Sequence, residues 1–145
     1  MTEIKIKPVS WVQGQDTLKP IRRKVFIEEQ HVPEELEWDD FDTQSVHFLA
    51  YTNNTAIATA RLKPDGQIGR IAVVNEFRNK GIGKELLSTV ISYAKTNGYN
   101  MVYLHSQQQV IGFYQQYGFV INGPGFTDAG ISHQAMYKVL DPTEL

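Results

Sequence analysis

The residues best suited to chemistry lie in a short basic turn that joins a predicted strand to a predicted helix. The turn contains Arg78, Lys80 and Lys84 beside two glycines, Gly81 and Gly83. The first N–H groups of a helix have no intrahelical acceptor, and the helix dipole adds partial positive charge at the same place. Because glycine has no Cβ, an anion can approach the backbone closely. The turn therefore predicts a phosphate or diphosphate site, and a plain strand-to-helix connection is the alternative.

The two standard nucleotide-binding motifs fit this turn poorly. The dinucleotide fingerprint requires a third glycine, where this chain has Leu86. It also requires an acidic residue about twenty positions later, where residues 101–104 offer none. A P-loop requires Ser or Thr after its Gly-Lys pair, but Glu85 follows Lys84 here. Both standard nucleotide interpretations are therefore disfavoured.

A second motif, Phe-Tyr-Gln-Gln-Tyr-Gly-Phe, lies at residues 113–119. Together with residues 78–83, it resembles the paired hallmarks of the GNAT superfamily of N-acetyltransferases. The first hallmark, Arg/Gln-x-x-Gly-x-Gly/Ala, binds the pyrophosphate of acetyl-coenzyme A in that family. In the second, a Tyr on a short helix faces the thioester sulfur. The acidic stretch at residues 28–42 further resembles the YjcF/ElaA-like branch, and the resemblance covers nearly the whole chain.

This resemblance implies a fold, an activity and a binding site. The fold is α+β (an α/β mixed sheet), with a central mixed sheet of roughly six or seven strands and helices on both faces. The activity is direct transfer of the acetyl group of acetyl-coenzyme A, in a ternary complex, to a primary amine on a small molecule or an amino terminus. A bulge in the central strand is expected at residues 71–73. The implied coenzyme-binding residues are Ile71, Ala72, Val73, Arg78, Asn79, Lys80, Gly81, Ile82, Gly83 and Lys84.

Composition narrows the class of protein. A chain of 145 residues predicts one domain, residues 1–145. The formal net charge of −2 gives no argument for a nucleic-acid or membrane partner, and no apolar run is long enough for a membrane span or a signal peptide. The absence of cysteine fits a cytoplasmic protein and excludes transfer through an enzyme thioester. A homodimer stays open.

The periodicity of apolar residues predicts the elements that position these motifs. Strands are predicted at residues 3–9, 46–51, 55–62, 68–74, 100–105, 119–121 and 130–140. Helices are predicted at residues 16–29, 33–37, 82–97 and 109–117. Asp16 and Thr17 are expected to cap the first helix, so that Pro20 falls in its first turn. This order predicts a mixed sheet with helices on both faces.

The charge is concentrated between residues 28 and 42, where eight acidic residues occur without Lys or Arg. Such a block raises the local concentration of cations, which suits an amine acceptor, and a solvated polar loop is the alternative. Glu29 is the predicted general base, with Glu28 as a second candidate and part of the acceptor site. Trp38 is predicted to contact the acceptor, or else to form the small core of the loop.

Two further residues are candidates for proton transfer. Tyr114 is expected to protonate the departing thiolate, although a phenol of pKa ~10 is only a mild acid for a thiolate whose thiol has a pKa of ~8.5. A packed aromatic residue is the alternative. His133, on the last strand, is a possible base and acceptor contact, because a neutral imidazole accepts protons at neutral pH. The remaining His, Asp and Glu residues make no metal-ligand set, so no metal is predicted.

Two other functions are compatible with the same motifs. A non-catalytic module that binds or senses acyl-coenzyme A would keep the phosphate turn without needing an acid or a base. A protein lysine acetyltransferase would use the acidic block to dock a Lys-rich partner, and its activity would depend steeply on salt.

Overall fold

Two four-stranded sheets form the framework of the computed structural model, which describes residues 3–140. The strands are β1 (Lys5–Val9), β2 (Val46–Thr52), β3 (Thr55–Leu62), β4 (Ile68–Val73), β5 (Met101–Gln107), β6 (Val120–Ile121), β7 (Phe126–Asp128) and β8 (Ile131–Val139). The helices are α1 (Trp11–Arg22), α2 (Glu34–Glu37), α3 (Ile82–Thr96) and α4 (Ile111–Gln115). A π-helical segment, Arg23–Glu29, continues α1, and short 3-10 turns lie at Asp42–Gln44, Asn75–Phe77 and Gln108–Val110.

The two sheets join at one point between β4 and β5. The first sheet has the antiparallel order β1-β2-β3-β4, and in the second β8 pairs with β5, β6 and β7. A single parallel bridge links Gln67 to Tyr103. Beyond it, no ladder joins β4 to β5 in the described part of the chain. The combination of strands and helices is as predicted, but the predicted single mixed sheet is here two antiparallel sheets joined by this one parallel bridge. Strand β7 lies where the sequence predicted none, so residues 3–140 contain eight strands.

Gly66 makes the close approach at this junction possible. The Tyr103 N–H donates to the Gly66 carbonyl at 3.0 Å, and Gly66 has a φ of +98°. A Cβ at this position would lie 2.6 Å from the carbonyl oxygen of Met101. Any side chain would therefore push the turn away from β5 and separate the two sheets.

Helices cover both faces of the first sheet. Successive residues of a strand point to opposite faces. Accordingly, Phe48 of β2 packs in the core with α3, whereas its neighbour Leu49 packs with α1. The amphipathic spacing of α3 buries Leu86, Leu87 and Val90 completely, as the sequence predicted. Within residues 3–140, no helix combines the length and the apolarity needed to cross a membrane.

The first helix begins earlier than the sequence predicted. Ser10 is its N-cap and accepts a hydrogen bond from the Gln13 N–H at 3.1 Å, so the expected cap at residues 16 and 17 is wrong. Pro20 consequently lies inside the helix, where it cannot donate to the carbonyl four residues earlier. The chain continues as the π-helical segment after residue 22. A locally altered hydrogen-bond register of this kind often lies near functional sites.

A buried network of charges joins α1 to the loop that follows α2. Arg22, which is completely buried, donates to Glu37 at 2.7 Å and to Asp42 at 2.8 Å. Burial raises the pKa of Glu37 despite its two Arg partners. Burial also acts to raise the pKa of Asp42, but hydrogen bonds from Arg22 and Arg61 hold it below its usual value. The two carboxylates can lie in the interior because each is paired with the Arg22 guanidinium, and a buried carboxylate without a cation would be costly.

The same pairing changes the interpretation of the acidic block. Ion pairs within 4 Å engage five of its eight acidic residues, namely Glu29, Glu34, Glu37, Asp39 and Asp42. The partners are arginines from α1, the π-helical segment, β3, β4 and the turn before α3. Most of the negative charge of this block is therefore paired within the fold, which weakens the expectation that the block attracts cations.

We expect Arg22→Met to lower the free energy of unfolding by ~3–5 kcal/mol, because it leaves two buried carboxylates without their cation. The adjacent Arg23 offers a matched control, since its pair with Glu34 is about half exposed. Arg23→Met should change the same quantity by less than about 1 kcal/mol. Urea unfolding at neutral pH measures both. Equal effects of the two substitutions would contradict the structural role of the buried network.

Candidate functional site

A cleft of about 520 Å³ opens between β4 and β5, where the two strands no longer pair. Its lining includes Ile71 and Arg70 of β4, Glu37 of α2, His105 of β5, Tyr114 of α4 and His133 of β8. Side chains that can donate or accept protons therefore converge on it from four elements besides β4. β4 is the edge strand of its sheet, so on this side its backbone pairs with no other strand and its open edge bounds the cleft.

A bulge in β4 shapes one wall of the cleft. Thr59 lies opposite Ala72, but Arg61 lies opposite Gly69, so β4 contains one residue more than β3 in this interval. The additional residue falls at positions 70 and 71, and Arg70 has a φ of +50°. The bulge was expected at residues 71–73 and lies directly before them.

The direction of the backbone after the bulge follows from one hydrogen bond. The Val74 N–H donates to the Ile57 carbonyl of β3 at 3.0 Å. Because successive peptide groups of a strand alternate in direction, the N–H and C=O of Val73 point the other way, towards the open edge of β4. The Val73 carbonyl accepts from Arg78 Nε at 2.8 Å. The Val73 N–H is thus left facing the side on which β4 has no partner strand.

The basic turn offers a run of free backbone donors. The Arg78 N–H is bonded to the Asn75 carbonyl at 3.3 Å, but the N–H groups of residues 79–84 have no acceptor among the described residues. Gly81 has a φ of +80°, and a Cβ at Gly81 or at Gly83 would meet no atom within 4 Å. The turn and the first turn of α3 therefore offer six consecutive N–H groups without an acceptor among the described residues, a pattern that suits an anion such as a diphosphate.

The side chain of Arg78 is already engaged by the protein. Its two terminal nitrogens donate to Glu29 at 2.7 and 2.9 Å. The hydrogen bond from Arg78 lowers the pKa of Glu29, which keeps the carboxylate charged and makes it a weak proton acceptor. Neither Glu29 nor the exposed Glu28 lines the cleft. The structure therefore does not support Glu29 or Glu28 as the general base, and Glu28 is not brought to the acceptor site.

Tyr114 lies where the sequence predicted it, on a short helix beside the cleft. Its ring packs edge-on against Phe113 and Phe119, with centroids 5.1 and 5.9 Å away. Its hydroxyl makes no hydrogen bond to the described part of the protein. Burial raises the pKa of Tyr114, so the phenol stays protonated at neutral pH and can act as a donor.

His133 is oriented as a proton acceptor. Its Nδ1 lies 2.8 Å from the Ile131 carbonyl oxygen. A carbonyl can only accept, so Nδ1 carries the proton of the neutral ring and Nε2 keeps a free lone pair. The interpretation of His133 as merely a satisfied strand histidine accounts for Nδ1 but not for the position of the ring in the wall of the cleft.

His105 is a cleft residue that sequence reasoning did not select. Burial and the neighbouring His133 lower the pKa of His105, which keeps the ring neutral at physiological pH. Both rings contact Phe126, with centroids 5.1 and 5.8 Å from it. The signal in the sequence was weak, because only the pairing of β5 with β8 places the two histidines on the same face.

Trp38 packs against the protein's own cations. The guanidinium groups of Arg22 and Arg23 lie 5.2 and 5.7 Å from its ring, and its Nε1 donates to Glu34 at 3.3 Å. It does not line the cleft. Of the two roles predicted for Trp38, the small core of the loop is the one that the structure supports. Among residues 3–140, no cluster of three His, Asp or Glu residues is suited to hold a metal ion.

Comparison with known proteins identifies relatives over most of the chain. The family described as the acetyltransferase (GNAT) domain matches residues 12–140. YyaT of Bacillus subtilis is 40% identical over 124 residues, which cover 81% of this chain and 84% of YyaT. ElaA of Escherichia coli is 31% identical over 129 residues, or 83% of this chain and 84% of ElaA. The resemblance to the ElaA-like branch is thereby confirmed.

Solved structures show the same fold. The crystal structure of Escherichia coli ElaA superposes with a TM-score of 0.82 at 25% identity, and covers 92% of this chain and 99% of ElaA. A GNAT family acetyltransferase from Elizabethkingia anophelis, solved with acetyl-CoA bound, has a TM-score of 0.71 at 24% identity over 94% of this chain and 98% of its own. The predicted fold is thus confirmed.

We expect Gly83→Leu to weaken binding of coenzyme A by about ten-fold or more, because the new side chain fills the space in front of the free N–H groups. A Cβ at this position meets no protein atom within 4 Å, and a better helix former replaces glycine, so stability should not fall. Isothermal titration with coenzyme A and thermal melting test the two statements. Thr96→Leu, at the exposed far end of α3, is the control and should leave the affinity unchanged.

Proposed function

Because this chain belongs to the GNAT acetyltransferase family and is an acyltransferase, we propose that it acetylates a primary amine directly from acetyl-coenzyme A in a ternary complex. One observation carries the proposal. Six free backbone N–H groups lie at the end of the strand whose open edge lines the cleft of Tyr114 and His133. The diphosphate of the coenzyme needs a cluster of hydrogen-bond donors, and the arm that carries the thioester needs an unpaired strand edge that leads from those donors to the reacting groups.

Residues of the turn and of β4 would hold the coenzyme. The N–H groups of residues 79–84, with Lys80 and Lys84 beside them, suit its diphosphate. The open edge formed by Ile71, Ala72 and Val73 suits the amide-containing arm. The free Val73 N–H is the donor for the thioester oxygen, and loss of one such preorganised donor costs ~3 kcal/mol in other enzymes.

The side chains of the cleft supply the proton transfers. His133 Nε2 accepts the proton that the amine loses as its nitrogen forms the new C–N bond. Tyr114 donates its phenolic proton to the sulfur as the C–S bond breaks, and solvent restores that proton. A positioned acid or base of this kind contributes roughly 10²–10⁴-fold.

The structure favours a small amine over a Lys-rich protein. Docking of a basic partner was predicted from the acidic block, but most of its carboxylates are already neutralised by arginine. The reacting groups also lie inside a cleft and not on an open surface. A primary amine on a small molecule, or a flexible amino terminus, can enter such a cleft.

Release of free coenzyme A, followed with a thiol reagent across a panel of amines, tests the proposal. We expect acetyl-coenzyme A to bind with a measurable heat and at least one primary amine to accelerate thiol release. Binding without release for any amine would favour the coenzyme-sensing module instead. No binding at millimolar coenzyme would remove both functions.

Tyr114→Phe should lower kcat about ten-fold or more, because the departing sulfur then lacks its proton donor. The affinity for coenzyme A should change little, since the ring is retained. Tyr117→Phe is a matched control, because Tyr117 packs against the same Phe113 but does not line the cleft. Steady-state kinetics and isothermal titration measure both variants. An unchanged kcat for Tyr114→Phe would refute the role of Tyr114 as the acid.

His133→Gln should lower kcat/KM for the amine about ten-fold or more, because the amine nitrogen then lacks the group that accepts its proton. Steady-state kinetics at varied amine concentration test this. His105→Gln is the comparison, because His105 lines the same cleft. A loss of rate in that variant alone would move the role of base to His105.

A further inference from the structure

Arg70 adopts an unusual backbone conformation in the middle of a strand. Its φ of +50° lies in the left-handed region, which side chains with a Cβ rarely occupy. The residue sits in the bulge of β4, directly before the backbone groups assigned to the coenzyme. A strained residue of this kind persists only when its surroundings hold it in place.

The side chain of Arg70 helps to hold this backbone conformation, through contacts with α2 and the loop after it on the opposite side of the cleft. Its Nη2 donates to the Glu37 carbonyl at 2.9 Å and to the Asp39 carboxylate at 3.2 Å. Its Nε lies 3.2 Å from the Glu37 carboxylate. These acceptors belong to α2 and the loop after it, and Glu37 is itself held by Arg22.

The backbone of Arg70 is held from the opposite side as well. Its carbonyl accepts a hydrogen bond from the Thr59 hydroxyl at 3.0 Å, and Thr59 is buried on β3. The bulge is thus held between β3 on one side and, on the other, α2 with the loop after it, whose residues Leu36 and Glu37 form the acceptor wall of the cleft.

Arg61 provides the internal comparison. It donates to Asp39 and Asp42 at 2.8 and 3.0 Å and so shares the carboxylates of the same network. It lies on β3, however, and is not among the residues with positive φ. Removal of either arginine disturbs the charge balance of the network, but only Arg70 is itself a residue of the bulge.

We infer that Arg70 is a positioning residue for acyl transfer: its guanidinium ties the bulge of β4 to the loop after α2 and so fixes the direction of the Val73 N–H and of the open strand edge. The inference rests on the proposed function. Because Leu36 and Glu37 at the other end of the tie line the cleft, the same side chain sets the spacing between the acceptor wall and the strand that holds the thioester.

Three variants separate strain, charge and position. Arg70→Gly removes the tie and the strain together, because glycine adopts a positive φ freely. Arg70→Ala removes the tie and keeps the strain. Arg61→Lys disturbs the same carboxylates from β3, opposite Gly69, and leaves residues 70 and 71 of the bulged strand unchanged. If the guanidinium served only to hold the strained φ in place, the glycine variant, which needs no such hold, would behave as the wild type, and the alanine variant alone would be impaired.

We expect both Arg70 variants to lower kcat by about ten-fold or more, while the Kd for coenzyme A stays within about three-fold, since the diphosphate donors lie elsewhere. Arg61→Lys should keep kcat within about two-fold of the wild type. Steady-state kinetics and isothermal titration with coenzyme A measure these quantities. A kcat for Arg70→Gly within about two-fold of the wild type would overturn the inference.

Amide hydrogen exchange of the ligand-free protein gives a readout that needs no acceptor amine. The Ala72 amide, which by the same alternation faces β3 opposite Thr59, should exchange faster in Arg70→Gly than in the wild type, and should be unchanged in Arg61→Lys. Unchanged exchange in Arg70→Gly would overturn the inference even if no amine is acetylated. A wild type that transfers no acetyl group would instead count against the proposed function, so the two failures are distinguishable. If Arg70→Gly does not fold, Arg70→Lys takes its place, because it keeps the charge but cannot make both directional contacts.

Discussion

The open edge of β4 is the feature on which the rest of the site depends. The sheets are held together at one end by the bridge beside Gly66 and separate beyond it, so that the peptide groups of β4 face a cleft instead of a neighbouring strand. Unpaired strand edges are normally covered or blocked, because another chain can pair with them. Here the bulge and the capping of the Val73 carbonyl by Arg78 leave one N–H at a defined place. A ligand that carries amide groups can use such an edge as an added strand does.

Charge in this protein is used mainly to hold elements together. Arginine and carboxylate groups that are far apart in the sequence meet inside the fold, where an unpaired charge would be costly. Arg22 anchors α1 to the loop after α2, and Arg70 joins that loop to β4. Arg78 connects the basic turn before α3 to the end of the π-helical segment through Glu29. The two walls of the cleft and the basic turn are therefore linked by ion pairs, which explains why most of the carboxylates in the acidic stretch are paired within the fold.

The local predictions succeeded where neighbouring residues decide the conformation. The predicted strands 46–51 and 55–62, which the structure joins by a hairpin at Asn53 and Asn54, both with positive φ, and the helix after Gly81 follow from the preferences of a few adjacent residues. The start of α1 was predicted at the wrong residue because Ser10 and the pair Asp16 and Thr17 are all suitable N-cap residues, and the helix begins after Ser10. Strand β7 was missed because three residues carry too little periodicity to reveal a strand.

The sequence by itself determined the order of the elements, the run of donors before α3 and the position of Tyr114, because each depends on contacts within one turn or one strand. It could not determine which acid meets which base. Glu29 and Arg78 are separated by 49 positions, and only folding reveals that they neutralise each other. The free lone pair of His133 and the strained backbone of Arg70 likewise depend on strands and loops distant in sequence. Pairing between remote charges follows from the packing of whole elements, which no local pattern of residues encodes.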